Sequence, residues 1–269
     1  ARAPVVADHP AARRALTTRR AAARAAAPAS VLAELGVDVA SAVAAEPVVG
    51  REELIEHALD VLAKRHGSSP LLVGAPGVGK TSVARGIAVA LQAETPPRVL
   101  VELPLTELLS GTGARGALAE RLTKLRAELR DRDGRYVLFV DEVHELFACE
   151  EAATELKAAL ALGELTLVAT TTPAELRRAR EDDPALLRRF TVIDVPEPDE
   201  AEAVAIVSAV AERLEEHHGV SFEREAVAAA VAWSVRYLPG RALPDKAIAL
   251  VDLAAARRRR RGGEGAVGR

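Results

Sequence analysis

Residues 74–82 read GAPGVGKTS, with glycines at 74 and 79 and a lysine and a threonine directly after them. This is the spacing G-x-x-x-x-G-K-[ST], which suits the grip of a phosphate chain. Glycines let the backbone curl until its N–H groups converge on phosphate oxygens, Lys80 reaches the terminal phosphates, and the Thr81 hydroxyl can bind Mg²⁺. Ala75, Pro76, Gly77 and Val78 form the curl, and Ser82 continues into the run behind it. The apolar run PLLVG precedes the motif and SVARGIAVAL follows it, so a strand enters and a helix leaves, as phosphate binding at a helix N-terminus requires. A second glycine-rich stretch, GTGARG at 111–116, has the spacing G-x-G-x-x-G. It follows the helix-like LTELL, and without a strand before it a dinucleotide reading has no support.

A phosphate site that does chemistry needs carboxylates nearby. YVLFVDEVH ends an apolar run with Asp141 and Glu142, at what becomes the carboxyl edge of a parallel sheet. There Asp141 can hold the hydration shell of a metal, and Glu142 can orient and deprotonate an attacking water. The competing explanation for the pair is an N-cap followed by an acidic first helical turn. The run LTLVATTT ends in threonines, and Thr171 is the candidate to touch a terminal phosphate or the attacking water; N-capping is its alternative. In DDPALLRRF, Arg188 and Arg189 lie far along the chain from the phosphate loop. They are either a surface pair or residues offered to a neighbouring subunit's nucleotide, where an arginine can raise turnover by roughly 10³ to 10⁵.

These groups must be positioned by alternating strands and helices. Candidate strands are 70–74, 98–103, 136–141, 165–171 and 190–195, each a short, nearly continuous apolar run of the kind buried in a parallel sheet. The expected fold is therefore α/β, a five-stranded parallel sheet with flanking helices. From Asp199 onward three helical segments, 199–217, 223–236 and 243–260, predict a small all-helical lid. The expected domains are a linker or loosely held segment over 1–30, the large α/β part over 31–197, the small helical part over 198–261 and a flexible tail over 262–269. Residues 31–46, VLAELGVDVASAVAAE, read as a short helical stretch.

The 269 residues carry a formal net charge of −3, with 49% apolar and 28% charged residues. That composition fits a soluble globular protein and gives no global attraction to nucleic acid or anionic lipid. The run Arg257 to Arg261 is local, and it caps the negative end of a helix dipole more readily than it binds nucleic acid. No apolar run reaches the length of a membrane span, so no membrane partner is expected. A single cysteine, Cys149, excludes an internal disulfide framework and suits the cytoplasm. His144, His217 and His218 lack metal-ligand spacing and read as structural. There is no methionine, so a start trimmed away or lying outside this chain is expected.

With these motifs in this order the sequence resembles the AAA+ ATPases, and within them the first ATPase module of the Clp class of protein unfoldases and disaggregases. The resemblance runs through LGVDVASAVAAEPVVGREELI, LLVGAPGVGKTSVARGIA, VLFVDEVHEL, LKAALALGELTLVATTTPAEL, DDPALLRRF, ERLEEHHGV and RALPDKAIALVDLAAAR, from residue 32 to about 257. It implies that Val48, Val49 and Gly50 lie where the family contacts adenine, and that Leu243, Pro244 and Asp245 form the small-domain contact with the nucleotide. It further implies ATP and Mg²⁺ as ligands, Arg188 and Arg189 as paired arginine fingers, self-association into a ring, usually a hexamer, and a protein client or adaptor. GTGARG aligns with the family's central-channel loop, commonly G-A-K-Y-R-G, with Gly113 and Ala114 in place of the Lys and Tyr. The second channel loop, between His144 and Leu156, is several residues shorter than usual. The implied activity is ATP hydrolysis coupled to remodelling of a protein complex; the alternatives are a nucleotide-dependent switch that threads nothing and, with less support, a DNA-acting relative.

Overall fold

A computed structural model describes residues 30–40, 48–109, 117–131, 134–261 and 266–267. The expected linker, apart from Ser30, the loop GTGARG and all of the expected tail but Ala266 and Val267 lie outside the described residues.

Five parallel strands form where apolar runs were expected: β2 (Ser69–Val73), β3 (Val99–Glu102), β4 (Tyr136–Val140), β5 (Leu167–Thr171) and β6 (Phe190–Asp194). A sixth, the two-residue β1 (Val37–Asp38), adds to the edge antiparallel to β3, giving the order β1-β3-β4-β5-β2-β6. The helix expected over 31–46 is thus interrupted at Gly36, where α1 (Val31–Leu35) ends and the chain turns onto the sheet; residues 41–46 of that expectation lie outside the described residues. Gly36 makes the turn possible, because a Cβ there would stand 2.4 Å from the Leu32 carbonyl and 2.6 Å from Val101. Glu128 anchors the start of α1, accepting from Ser30 Oγ at 2.9 Å and from the Val31 amide at 2.8 Å.

Alternation of side chains along each strand divides the interior into two layers. Leu71, Val73, Leu138, Val140, Leu167 and Ala169 face one cluster, shared with α5 (Ala117–Arg130) and α7 (Glu150–Leu162). Leu72, Val137, Phe139, Val168 and Ile193 face the other, covered by α2 (Glu52–Leu62) and α3 (Lys80–Ala93). Leu71 and Leu72 are both fully buried, each stabilising the sheet by roughly 1.5–3 kcal/mol. Pro70 is accepted because it stands at the start of its strand, where the neighbouring Leu167 amide bonds to Ser69 Oγ at 3.3 Å. Cys149, between α6 (His144–Phe147) and α7, is half-buried and packs on the first cluster, so it does not project from an open loop.

After the sheet, α10 (Glu200–His218), α11 (Arg224–Tyr237) and α12 (Asp245–Arg260) bury Ala203, Val207, Ala211, Val227, Val231, Ala247 and Val251 against one another. Spacings of three and four residues on each helix produce that common face. Asp199 and Glu202 start α10 with a reciprocal cap, at 2.8 and 3.1 Å, and Gly219 ends it at φ 68°. The lid also carries a two-residue pairing that its helical pattern did not indicate, β7 (Ser221–Phe222) against β8 (Ala266–Val267).

Glu197 fastens the lid to the chain leaving the sheet. Its Oε1 accepts the Leu243 amide at 2.7 Å and the buried Lys246 ammonium at 3.2 Å. The Leu243 bond, with the Lys246 pair behind it, holds the Glu197 carboxyl below its ordinary value. A depressed folded value stabilises the protein above the unfolded pKa of about 4.3, and the contribution is lost as pH falls through the folded value. Glu197→Gln should therefore lower stability by about 1 kcal/mol near neutral pH. Chemical denaturation should show that difference shrinking toward zero as pH falls through the folded value and the wild-type carboxylate is protonated as well.

Candidate functional site

The phosphate loop is shaped by backbone that side chains would strain. Gly77 and Gly79 stand at φ 87° and 96°, in the left-handed region that favours glycine. At Gly77 a Cβ would also come within 2.8 Å of the Asp245 Cβ, so the lid closes on the loop only because that position is bare. The loop runs into α3, whose N-cap Gly79 supplies no side-chain acceptor. Amides at this helix start point into the cleft with the positive end of the helix dipole behind them, an arrangement made for an anion.

Lys80 folds back on the loop, donating to the Gly74 and Ala75 carbonyls at 2.9 and 3.2 Å. Burial lowers its pKa, and the nearby Asp141 and Glu142 carboxylates oppose that shift. Thr81 Oγ1 donates to Asp141 Oδ2 at 3.2 Å, which puts a hydroxyl and a carboxylate side by side at the end of β4. Both are hard oxygen donors of the kind that Mg²⁺ takes alongside water and phosphate, so the pair fits that ion. Glu142 is exposed on the cleft with its backbone at φ 52°. Behind them Glu102, at the end of β3, is pushed above its usual value by burial and by Asp141, with Arg85 acting against the shift.

Three threonines at the end of β5 divide their work. Thr172 is the N-cap of α8 (Pro173–Asp182), accepting the Glu175 amide at 3.2 Å. Thr171 lines the cleft and lies 3.4 Å from His144 Nδ1. Thr170, which its sequence context did not single out, is fully buried and bonds to Asp141 Oδ1 and to the Glu142 amide.

Two connected chambers result. The first, about 340 Å³, is lined by Pro76, Gly77 and Gly79 to Ser82, by Asp141, Glu142, Thr171 and Thr172, and from the lid by Pro244, Asp245 and Ile248. The second, about 250 Å³, joins it at Gly79, Ser82, Pro244 and Ile248; Val48, Val49, Val78, Ile206 and Val210 give it a mainly apolar lining, to which Arg51, Arg85 and Arg213 also contribute. A polyphosphate chamber continuing into an apolar slot matches the two ends of a nucleotide. Of the other expected contacts, Gly50 and Ala75 are exposed beside these chambers, and Leu243 is buried with its amide bonded to Glu197. Arg188 and Arg189 are exposed in the turn before β6 and line neither chamber. Arg51 joins the site unexpectedly: its buried guanidinium donates to the Val78 and Pro196 carbonyls, each at 3.1 Å. Ile206, Val210 and Arg213 of α10 were also not foreseen; their signal in the sequence is only a helical face that the core does not use.

Comparison with known proteins identifies the arrangement. Residues 70–195 match the ATPase family associated with various cellular activities (AAA), and residues 199–265 match the AAA lid domain. The chain belongs to the AAA ATPases. It is 44% identical to the chaperone protein ClpC2 of Arabidopsis thaliana chloroplasts over 80% of this chain and 24% of that protein. To ClpB of Yersinia enterocolitica it is 43% identical, over 79% of this chain and 25% of the relative. The AAA+ ATPase ClpV1 of Pseudomonas aeruginosa is 40% identical with the same two coverages, 79% and 25%. Among solved structures, a closed state of Hsp104 with ATPγS and FITC casein superposes with a TM-score of 0.82 at 35% identity, covering 88% of this chain and 43% of that one. The Saccharomyces cerevisiae Hsp104–ADP complex gives 0.81 at the same identity and coverages. The chain thus spans about a quarter of the length of the curated relatives it matches. It is a nucleotide-binding AAA module, with the α/β sheet and helical lid of that family.

Lys80→Ala leaves the curl of the AAA phosphate loop in place while removing its one cation. Fluorescent-nucleotide titration should show affinity reduced by about 100-fold or more, with the thermal midpoint of the nucleotide-free protein little changed.

Proposed function

We propose that this chain binds ATP with Mg²⁺, hydrolyses it as one subunit of a hexameric ring, and uses the cycle to remodel a protein client or complex. The observation that carries the reading is the shared cleft: phosphate loop, Asp141, Glu142 and Thr171 face Pro244, Asp245 and Ile248 of the lid across one chamber. In this reading residues 31–197 are the nucleotide-binding body and 198–261 the lid over it. Val48, Val49 and Gly50 lie on the base side, with Leu243, Pro244 and Asp245 closing over the nucleotide from the lid.

The loop amides from Ala75 to Ser82 and Lys80 hold the phosphates and draw charge toward the terminal one. Thr81 and Asp141 hold Mg²⁺, which when bound neutralises charge on the phosphate oxygens. Glu142 accepts a proton from water as the water oxygen bonds to the terminal phosphorus and the bond to the ADP oxygen breaks. Thr171 faces the same space and orients that water or the terminal phosphate. Arg188 and Arg189, exposed and outside their own chain's chambers, serve the nucleotide of the neighbouring subunit. A cytoplasmic setting goes with the single free cysteine.

A second reading, a nucleotide-driven assembly switch that threads nothing, is favoured by Gly113 and Ala114. Small residues there offer little apolar surface for gripping an extended chain. For a DNA-acting role the structure adds nothing: Arg257 to Arg260 form the last turn of α12, and Arg259 donates to the His217 carbonyl at 3.0 Å.

Glu142→Gln should bind ATP with near wild-type affinity and hold it, with turnover down by roughly 10²–10⁴; unchanged phosphate release would sink the assignment. Mixed assemblies test the arginines. If they act between subunits, adding Arg188→Ala/Arg189→Ala protein to wild type should depress the rate more steeply than dilution does, whereas a strictly proportional decline would argue against fingers acting in trans.

A further inference from the structure

The turn that carries the two carboxylates is tied to the neighbouring strand by one buried threonine that does not line the cleft. Thr170 lies on β5 between β4 and β2 and is fully buried. Its Oγ1 donates a hydrogen bond to Asp141 Oδ1 and accepts one from the Glu142 amide at 2.9 Å. Its backbone carbonyl accepts the Val143 amide at 3.0 Å. Three consecutive residues are therefore tied to a single threonine.

Glu142 is the one non-glycine residue at positive φ among the described residues, at 52°. An L side chain in the left-handed region persists only where its surroundings dictate it. Here two bonds to Thr170 bracket the residue, the Glu142 amide on its hydroxyl and the Val143 amide on its carbonyl. Turning the residue back to the right-handed region, with its amide held, would pull the Val143 amide off the Thr170 carbonyl and carry the carboxylate away from the phosphate loop. The hydroxyl suits both tasks because it can donate once and accept at the same time. Valine, of the same shape, can do neither; serine keeps the chemistry but loses the stiffness of the branched side chain.

We propose that Thr170 is a positioning residue for hydrolysis, fixing Asp141 through one bond and the strained backbone of Glu142 through the other, without touching nucleotide. The inference rests on the reading of Glu142 as the base. It separates Thr170, which does not line the chamber, from Thr171 and Thr172, which both do, the latter also capping a helix.

The test compares wild type, Thr170→Val, Thr170→Ser and Glu142→Gln in the full chain. Amide exchange of Glu142, followed by NMR on nucleotide-free protein, should accelerate at least about tenfold in the valine variant and stay near wild type in the serine variant. Steady-state hydrolysis of Mg·ATP by the valine variant should lose about 10²-fold in kcat, the scale of a misplaced catalytic group. Its affinity for a fluorescent ATP analogue without Mg²⁺ should remain within about threefold of wild type, and the serine variant should recover most of the turnover. Unchanged exchange or unchanged kcat in a valine variant that binds nucleotide would overturn the proposal. So would a serine variant as impaired as the valine one, or a valine variant that loses nucleotide binding and turnover together, since either would make Thr170 general scaffold. If wild type hydrolyses nothing, or Glu142→Gln hydrolyses normally, the reading of the site fails, while the exchange data still decide whether Thr170 holds the turn.

Discussion

The Asp141 carboxylate is the point on which the site converges. One oxygen takes the hydroxyl of Thr81 from the start of α3, and the other takes that of Thr170 from β5. Three segments separated by 60 and 29 residues in the chain are thereby joined at a single side chain. They can meet only because the strand order sets β4, β5 and β2 side by side, all parallel, so that their carboxyl ends share one edge. An antiparallel neighbour in the middle of the sheet would send one of the three to the opposite edge. The two-layer core exists to keep that order: each central strand is buried on both faces, and no register shift can occur without exposing a full row of leucine and valine side chains.

Charge explains what the cleft selects. Uncapped amides at the start of α3, with Lys80, attract an anion, while Glu102, Asp141 and Glu142 attract cations. In the structure these demands are met internally: Lys80 bonds to loop carbonyls and Thr81 to Asp141. Neither bond is strong, and each partner is freed when a phosphate or a metal takes its place. A ligand carrying only negative charge would leave the carboxylates repelling it, and a bare cation would leave the amides unsatisfied. An anion with its own divalent ion satisfies both at once.

Much of this was legible in the sequence, for reasons that can be stated residue by residue. PLLVG, YVLFVD and LTLVATT are strands because continuous β-branched and apolar runs of that length fit a doubly covered sheet. The phosphate loop was legible because its glycines have no other common use at that spacing. The edge strand Val37–Asp38 was not legible, since two residues carry no periodicity and the helix-like segments around them hide the turn at Gly36. Ile206, Val210 and Arg213 read as an ordinary helical face; only the docking of α10 over the phosphate loop gives that face a ligand. In ATTT the composition was visible but the division of labour was not. Alternation sends neighbouring side chains to opposite sides, so which threonine faces nucleotide and which faces Asp141 depends on strand register, and register is a property of the folded sheet.

The connection between body and lid follows from the same local chemistry. Arg51 holds the Val78 and Pro196 carbonyls together, tying the backbone of the phosphate loop to the first residue beyond β6 and Val195. The next residue, Glu197, holds the Leu243 amide and Lys246, and Leu243 leads into Pro244, which lines both chambers. The chain passing from sheet to lid is thus clamped on one side by the loop that surrounds the phosphates and on the other by the segment that covers them. Burial lowers the Arg51 pKa, yet arginine keeps its charge, so this clamp does not titrate in the physiological range. The loop around the phosphates and the segment over them are therefore joined through two neighbouring residues, Pro196 and Glu197, and neither can shift against the sheet without straining the bonds at that junction.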